Sequence, residues 1–337
     1  MIFAIETSCD DTSTAIIDHK GRLLSHIVVN QKNHKKFGGV VPEIASRAHL
    51  QILQYIVPKT FIEAKIKINE IDIFCATCGP GLIGCLLVGS TMAKSMAIAN
   101  NKPFFPINHL EGHLLSPLIN NNINFPFLAL LLTGGHTQIY LVKNINNYEL
   151  LGETVDDAVG ECFDKVSKLL GLGYPGGPMV EKKAANGSID AFELPHPLIY
   201  KKSLNFSFSG IKTAVNLLIK KQKVINEKTK ADIAASFQNK IIEIIIKRTT
   251  MALEKLKKTR YNINFIAIVG GVASNKKINK AFKKFCKINN CHFVCPPQDM
   301  CGDNAAMIAW TCLQRHKQNI KPDINFKEDP RWNLGEI

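Results

Sequence analysis

The sequence predicts an α/β fold of two similar lobes, each built on a mixed sheet. Apolar strand-like runs alternate with segments of helical spacing along the 337 residues, which is typical of α/β proteins. Two hairpins of similar pattern, at 2–18 and 127–142, indicate a duplicated lobe. Hydrophobic residues make up 46% of the chain, which provides enough apolar surface for a large core.

Each predicted element follows from a local pattern. Apolar runs bounded by Gly, Pro or polar turns predict strands, whereas apolar residues at helical spacing predict helices, and Pro42 favours a helix start. The predicted strands are 2–6, 14–18, 71–78, 127–132, 138–142, 264–271 and 291–297. The predicted helices are 42–56, 85–99, 108–118, 156–172, one or two helices within 228–258, and 303–316.

The closing helix is predicted to pack back on the first lobe. We therefore expect one lobe at 1–115 plus about 303–325, a second lobe at 116–302 and a tail at 326–337. The sequence has no apolar run of 18 residues, so we expect no membrane-spanning helix. Its first residues lack the charged region followed by a long apolar run that is typical of a secretory signal, so we expect no such signal. The ten cysteines are then expected to be reduced and mostly buried, in a cytoplasmic protein.

The formal net charge is +14, and the surplus is local. Residues 201–290 hold 21 Lys and Arg against 4 Asp and Glu, whereas the remainder holds 21 and 24. A face that binds a polyanion would have this distribution. An AT-rich coding bias would also enrich Lys, together with Asn and Ile, and both interpretations stay open.

Three Gly-rich turns follow strands, at 78–84, 132–137 and 269–275. The first matches G-x-G-x-x-G, but it does not follow the first strand and 101–107 has no acid, so a nicotinamide site is disfavoured. No P-loop motif occurs. The Thr-Gly-Gly-His-Thr turn at 133–137 is suited to bind a phosphate. The glycines of the 269–275 turn could contact a purine or ribose, and Asn275 could hydrogen-bond to a polar edge of that group. Purely steric Gly-Gly turns are the alternative.

His109 and His113 stand at i and i+4, which places them on one helix face at chelating distance. Glu111 is displaced from the H-E-x-x-H position, which disfavours a peptidase. Asp303 is a candidate third ligand, although it could instead simply cap the closing helix. Likewise, His109 and His113 could be solvent-exposed side chains that bind no metal. Two His and one carboxylate suit Zn or Fe(II), and His136 could contact phosphate or metal. No signature of a covalent nucleophile is present.

Longer motifs carry a family resemblance, nearly end to end and in the same order. The chain resembles TsaD, the tRNA adenosine threonylcarbamoyltransferase family of the ASKHA superfamily (actin, sugar kinases, Hsp70). This resemblance implies two duplicated ASKHA lobes with an interlobe cleft. The matching motifs are IETSCDDTSTAI, GGVVPEIASRAH, GPGLIGCLLVGSTMAKSMA, NHLEGH, LLLTGGHTQI, GECFDKVSKLLGLGYPGGP, FSFSGIKTA, VGGVASN and DNAAMIA.

The resemblance also implies site residues. One divalent metal ion, Fe or Zn, would be held by His109, His113 and Asp303, next to the donor pocket. The family usually has Glu where this chain has Asp11, which keeps the charge but shortens the reach by one methylene. Our own hypothesis for the mechanism is that Asp11 or His136 accepts the amine proton. The carbamoyl-adenylate site would comprise Leu132, Thr133, Gly134, Gly135 and His136, with further contacts from Asp164, Gly177, Glu181 and Asn275.

The implied reaction is transfer of threonylcarbamoyl from threonylcarbamoyl-AMP to adenosine-37 of tRNAs that read codons starting with A, with release of AMP. The implied partners are tRNA, a smaller paralogous ASKHA subunit (TsaB-like) and a P-loop ATPase subunit (TsaE-like). No association with a membrane is expected. The alternatives are an ASKHA ATPase or sugar kinase, a metalloendopeptidase, and a nucleic-acid-binding scaffold.

Overall fold

A computed structural model gives the fold, and it describes residues 1–31, 34, 39–198, 202–222, 225–259 and 261–334. Residues 201, 223, 224 and 260 of the basic stretch, and 335–337 of the predicted tail, therefore lie outside the described residues. Among the described helices, none is long and apolar enough to cross a membrane. The chain divides into unit 1 (Met1–Asn121, Ile145–Asn147 and Gly302–Ile337) and unit 2 (Asn122–Asn144 and Tyr148–Cys301).

Strands and helices alternate along the described chain, as the sequence predicts. The strands are β1 Ile2–Glu6, β2 Asp11–Ile17, β3 Leu23–Asn30, β4 Ile73–Gly79, β5 Phe104–Asn108, β6 Phe127–Leu132, β7 Thr137–Asn144, β8 Asn147–Glu153, β9 Phe265–Val269 and β10 His292–Val294. The helices are α1 Pro42–Ala64, α2 Ile83–Ala99, α3 His109–Leu115, α4 Val159–Leu169, α5 Gly176–Ala184, α6 Ser209–Lys221, α7 Glu227–Leu256, α8 Lys276–Ile288 and α9 Ala305–Lys317.

Unit 1 contains a five-stranded mixed sheet of order β3-β2-β1-β4-β5. β1 is antiparallel to β2 and parallel to β4, which in turn is parallel to β5. Every residue of β1, β4 and β5 is buried, because α1 and α2 pack with this sheet and α9 packs on β1 and β2. The carboxyl ends of the three parallel strands meet at one edge, and α3 starts directly from the end of β5.

Unit 2 repeats this plan with a mixed sheet of order β10-β9-β6-β7-β8. β6 is antiparallel to β7 and parallel to β9, with Leu131 opposite Val269. The turns that follow β6 and β9 therefore leave the sheet at the same edge, where ligands of α/β proteins usually bind. The core of this unit is formed by β6, β7 and β9 together with α4–α8, and α7 alone contributes 15 buried residues.

Candidate metal and nucleotide sites

Helix α3 presents its two histidines side by side in unit 1. Asn108, the last residue of β5, caps the helix, since its side-chain oxygen accepts hydrogen bonds from the N–H groups of Leu110 and Glu111 at 2.9 and 3.3 Å. This cap fixes the start of the helix at the sheet edge. The rings of His109 and His113 then lie 4.7 Å apart at an interplanar angle of 85°, and both residues are buried.

Asp303 reaches these rings from the start of α9, also in unit 1. The helix cap is the next residue, Asn304, whose side chain accepts from the N–H of Met307 at 3.0 Å. Asp303 is thus not the cap of α9, and its Oδ1 lies 3.0 Å from His113 Nε2 and 3.5 Å from His109 Nε2. Its carboxylate is directed at the two imidazoles.

These three side chains form a group that could hold a metal ion, with ligand atoms all within 4.8 Å of one another. Two ligand atoms about 2.1 Å from one ion, at an angle of about 90–110°, lie about 3.0–3.4 Å apart. The separations of 3.0 and 3.5 Å from Asp303 Oδ1 fit that requirement. Two imidazoles and one carboxylate leave coordination positions for other ligands, as in catalytic rather than structural sites.

Glu6 is a functional candidate that the sequence reasoning missed. It ends β1, is fully buried, and accepts hydrogen bonds from the Ser8 N–H, the Thr77 hydroxyl and His109 Nδ1, the last at 3.1 Å. A carboxylate on one ring nitrogen of a histidine fixes the tautomer and leaves the other nitrogen for a metal. The available signal was an acid at the end of a strand that is otherwise apolar.

Charge is strongly coupled within this cluster. Burial alone would lower the pKa of His109, but Asp303 and Glu6 raise it well above its usual value. Burial would raise the pKa of Asp303, yet His109 and His113 hold it well below its usual range. Burial lowers the pKa of His113, the other imidazole. The two carboxylates therefore favour positive charge at the two imidazoles, which is an environment that attracts a cation.

Glu111, the acid inside the His-x-Glu-x-His segment, does not join the three ligands. It is fully buried and its Oε2 lies 3.0 Å from Nε of Arg315 on α9. Arg315 also donates from Nη1 to the Pro106 carbonyl at 3.0 Å. This buried ion pair connects α3 to α9, the helix that follows Asp303, and it engages the Glu111 carboxylate away from the three candidate ligands.

In unit 2, the predicted phosphate-binding turn follows β6. The Thr133 hydroxyl accepts hydrogen bonds from the N–H groups of Gly135 and His136 at 3.2 and 2.9 Å, and the Thr133 N–H donates to the His136 carbonyl. The turn is therefore closed by its own threonine. Leu132 is fully buried in the core, so only its backbone is available to a ligand.

Gly270, which follows β9, allows the second turn to approach the first. Its φ is +89°, a conformation that glycine adopts without strain. A Cβ at this position would lie 2.6 Å from the Leu132 carbonyl oxygen. In contrast, Gly134, Gly177 and Gly271 have nothing within 4 Å of the position of a Cβ, and all three line open space.

That space is a cavity of about 270 Å³ in unit 2, near the lower end of small-molecule sites. Of the nine residues predicted to bind the donor, five line the cavity and four belong to the adjacent strand end and turn without lining it. The five are Gly134, Asp164, Gly177, Glu181 and Asn275, and the four are Leu132, Thr133, Gly135 and His136. The lining is completed by Gly271, Val272 and Ser274 of the predicted Gly-rich turn at 269–275, and by Gly160, Phe163, Pro175 and Pro178, which the sequence reasoning did not assign to the site.

Three polar residues of this lining also hold its walls together. Asp164 Oδ1 accepts from the N–H of Gly176 at the start of α5, at 2.6 Å, and Glu181 Oε1 accepts from the N–H of Lys276 at the start of α8, at 2.7 Å. Asn275 caps α8 and donates to Gln238 Oε1 at 3.0 Å. The carboxylates are suited to accept from ribose hydroxyls, whereas Asn275 is engaged in the fold and contributes mainly shape.

Asp11, the predicted proton acceptor, starts β2 in unit 1. Its Oδ1 accepts from Asn30 Nδ2 at 2.5 Å. Burial raises the pKa of Asp11 to about 7, and the charges of Asp303, Asp10 and Glu6 add to this effect. A carboxyl group that titrates near neutrality is suited to accept and release protons.

Comparisons with known proteins agree on a single family. A family model described as tRNA N6-adenosine threonylcarbamoyltransferase matches residues 22–310. The protein of that name from Pelagibacter ubique (strain HTCC1062) is 46% identical over 340 residues, which cover 99% of this chain and 95% of the relative. The one from Wolbachia pipientis wMel is 43% identical over 333 residues, 99% and 98% of the two chains.

Solved structures that resemble the chain confirm the ASKHA-type α/β fold. HypF of T. kodakarensis is similar with a TM-score of 0.62 at 13% identity, over 95% of this chain and 48% of that chain. Component A of Acidaminococcus fermentans (R)-2-hydroxyglutaryl-CoA dehydratase has a TM-score of 0.53 at 13% identity, over 93% and 99%. At such identity these likenesses concern the fold alone.

Proposed function

The chain belongs to the tRNA N6-adenosine threonylcarbamoyltransferase family, and on that premise we propose that it transfers a threonylcarbamoyl group to the N6 amine of adenosine in tRNA. The observation that carries this proposal is the 46% identity that spans 99% of the chain. The acceptor is adenosine-37, beside the anticodon of tRNAs that read codons starting with A. With tRNA as substrate, the reaction belongs in the cytoplasm.

The donor in this proposal is threonylcarbamoyl-AMP, a mixed anhydride. The amine attacks the carbamoyl carbon, a C–N bond forms, the bond to the phosphate oxygen breaks, and AMP leaves. AMP is a good leaving group, so no enzyme nucleophile is required. The unit 2 cavity would hold the adenylate, with Gly134, Gly177 and Gly271 leaving room for it and Asp164 and Glu181 accepting from the ribose hydroxyls.

His109, His113 and Asp303 would hold one divalent ion, iron or zinc. When bound, such an ion polarises a carbonyl oxygen and stabilises developing negative charge. Glu6 keeps His109 in the tautomer that frees Nε2, and the Glu111–Arg315 pair fixes the helices that carry the ligands. Asp11 accepts the proton that the amine loses, because its pKa of about 7 lets it be ionised at neutral pH; His136 is the alternative acceptor.

The family resemblance also supports two partner subunits, a smaller ASKHA paralogue and a P-loop ATPase. We include both in the proposal. A transfer assay that contains both subunits should run faster than one that lacks either. Equal transfer rates with and without the two subunits would contradict their part in the proposed function.

Nucleoside mass spectrometry of tRNA tests the function itself. In cells depleted of their own enzyme, the wild-type chain should restore threonylcarbamoyladenosine, whereas His113→Ala should not. His19→Ala is the matched control, since His19 is an exposed histidine outside the cluster, and it should restore the nucleoside fully. Unmodified adenosine in the presence of the wild-type chain and its partner subunits would contradict the proposed function.

A further inference from the structure

Six lysines cover one face of helix α8 in unit 2. At 3.6 residues per turn they fall within an arc of about 120°, and all six are exposed. The buried residues Ile278, Phe282, Phe285 and Cys286 occupy the opposite face. The six are Lys276, Lys277, Lys280, Lys283, Lys284 and Lys287.

No carboxylate compensates this charge on the helix. α8 contains neither Asp nor Glu, and within the described residues none of the six side chains forms an ion pair. Six ammonium groups along 13 residues produce a strongly positive field that is neutralised only by a partner or by counterions.

Three lysines and one arginine of the neighbouring helix α7 have partners within the fold. Lys228, Lys230 and Lys240 pair with Asp232, Glu227 and Glu243 at 2.9, 3.1 and 2.6 Å. The buried Arg248 donates to the carbonyls of Ser203 and Leu198 at 2.7 and 2.6 Å. These three ion pairs compensate part of the charge of α7, whereas the six lysines of α8 share one helix face without a carboxylate partner among the residues that the structure describes.

The position of α8 links this face to the cavity. The helix begins at Asn275, which lines the cavity, and Glu181 of the lining accepts from the Lys276 N–H. From there the lysines continue for about 16 Å, at 1.5 Å per residue. A nucleic acid strand that follows them would run away from the nucleotide cavity along a continuous basic surface.

We propose that the lysine face of α8 binds the phosphate backbone of the acceptor tRNA. This inference rests on the proposed function, because it assigns a surface to the substrate of that reaction. Lysines on phosphates provide affinity and orientation without reading sequence. This face would therefore bind tRNAs alike and leave the choice among them to other contacts.

Charge-neutral variants test the surface. Lys280→Gln, Lys284→Gln and Lys287→Gln together remove three charges from the lysine face, and Lys228→Gln, Lys230→Gln and Lys240→Gln remove three from α7 as the matched control. The probe is an unmodified transcript of a tRNA that reads a codon starting with A, and its affinity is measured over a range of NaCl concentrations. Both triple variants should keep the melting temperature of the wild-type chain within a few degrees.

The α8 variant should bind about tenfold more weakly at moderate salt, and the slope of log affinity against log salt should fall by about 2–3. The control should change affinity less than twofold. An α8 variant with wild-type affinity and slope, or one that only matches the control, would overturn the assignment. Loss of partner-subunit binding at unchanged tRNA affinity would overturn it as well.

Kinetics separate this inference from the proposed function. If the wild-type complex modifies the transcript and the α8 variant shows an unchanged KM for tRNA, only the surface assignment fails. If the wild-type complex does not modify the transcript, the proposed function fails. The expected result is a KM for tRNA raised about tenfold with an unchanged KM for the acyl donor.

Discussion

Buried side chains in unit 1 obtain their roles from their neighbours. His109 and His113 are the same residue type on the same short helix, yet the pKa of His109 is raised by two carboxylates whereas the pKa of His113 is lowered by burial. Asp303 and then Glu6, which contacts Nδ1, raise the pKa of His109, whereas the charge of His109 adds to the lowering of the pKa of His113. In many metal sites a carboxylate that does not bind the metal orients a metal-ligating histidine through a hydrogen bond. Glu6 is placed to do this for His109, and it is therefore the first residue to test.

Replacing Glu6 by Gln should lower metal affinity about 10- to 100-fold. Gln keeps the volume, but it removes the charge that holds the Nδ1 proton of His109. Metal affinity is measured by titration with Zn²⁺ and Fe²⁺, independently of activity. Glu43→Gln, which removes an exposed acid paired with Arg47 on α1, is the control and should bind metal as the wild type does. Equal affinities of the two variants would contradict the role of Glu6.

Asp11 should give the transfer reaction a pH dependence. Only the ionised carboxylate accepts a proton, and burial raises its pKa to about 7. The single-turnover rate should therefore rise with pH through about 7 and level off above it. Asp11→Asn should lower the rate about 10²- to 10⁴-fold and abolish the rise, while Asp11→Glu should retain it. A rise that persists in Asp11→Asn but disappears in His136→Gln would assign the proton to His136.

At the scale of elements, most of the strands whose residues are all buried were predictable, although β5, which is also buried throughout, was missed. β4 and β6 are continuous apolar runs with turn residues behind them, and their patterns leave few alternatives. β3 and β8 were not predicted, since both lie at sheet edges and expose much of their length. Their residues lack the apolar continuity by which the buried strands were recognised.

Helix α5 was missed for a different reason. Its first residues are Gly-Gly-Pro, a sequence that is typical of a break after a helix and not of a helix start. Gly176 is needed because a Cβ there would lie 2.5 Å from Asp164 Cα, and Pro178 falls in the first turn, where an N–H has no partner within the helix. Close packing between helices is a tertiary constraint that a local pattern does not contain.

Substitution by alanine should have different effects at the adjacent residues Gly270 and Gly271. Gly270→Ala should destabilise unit 2 and lower its melting temperature by several degrees, because both the positive φ and the nearby Leu132 carbonyl oppose a Cβ. Gly271→Ala should melt like the wild type and weaken AMP binding about tenfold, since its methyl group enters open space that lines the cavity. Thermal melting and calorimetric titration with AMP measure the two effects. A stable Gly270→Ala that binds AMP normally would contradict the close approach of the two turns.

At the scale of the whole molecule, the candidate sites follow the duplication. All three candidate metal ligands belong to unit 1, and all nine predicted donor contacts belong to unit 2. In each unit the site is at the carboxyl ends of parallel strands: β1, β4 and β5 in one, β6 and β9 in the other. The histidine pair was predictable from its spacing, whereas Glu6 and Arg315 act over more than a hundred residues of sequence and needed the fold.

Because each set of residues lies within one unit, the two binding events should be separable. His113→Ala should reduce Zn²⁺ binding at least a hundredfold, since it removes one of three protein ligands, while its affinity for AMP should remain within twofold of wild type. Gly271→Ala should show the converse, with normal Zn²⁺ binding and weakened AMP binding. Separate calorimetric titrations with Zn²⁺ and with AMP measure both affinities. If AMP affinity falls with metal affinity in His113→Ala, nucleotide binding requires the metal ligands of unit 1, and the assignment of the adenylate to unit 2 residues alone is wrong.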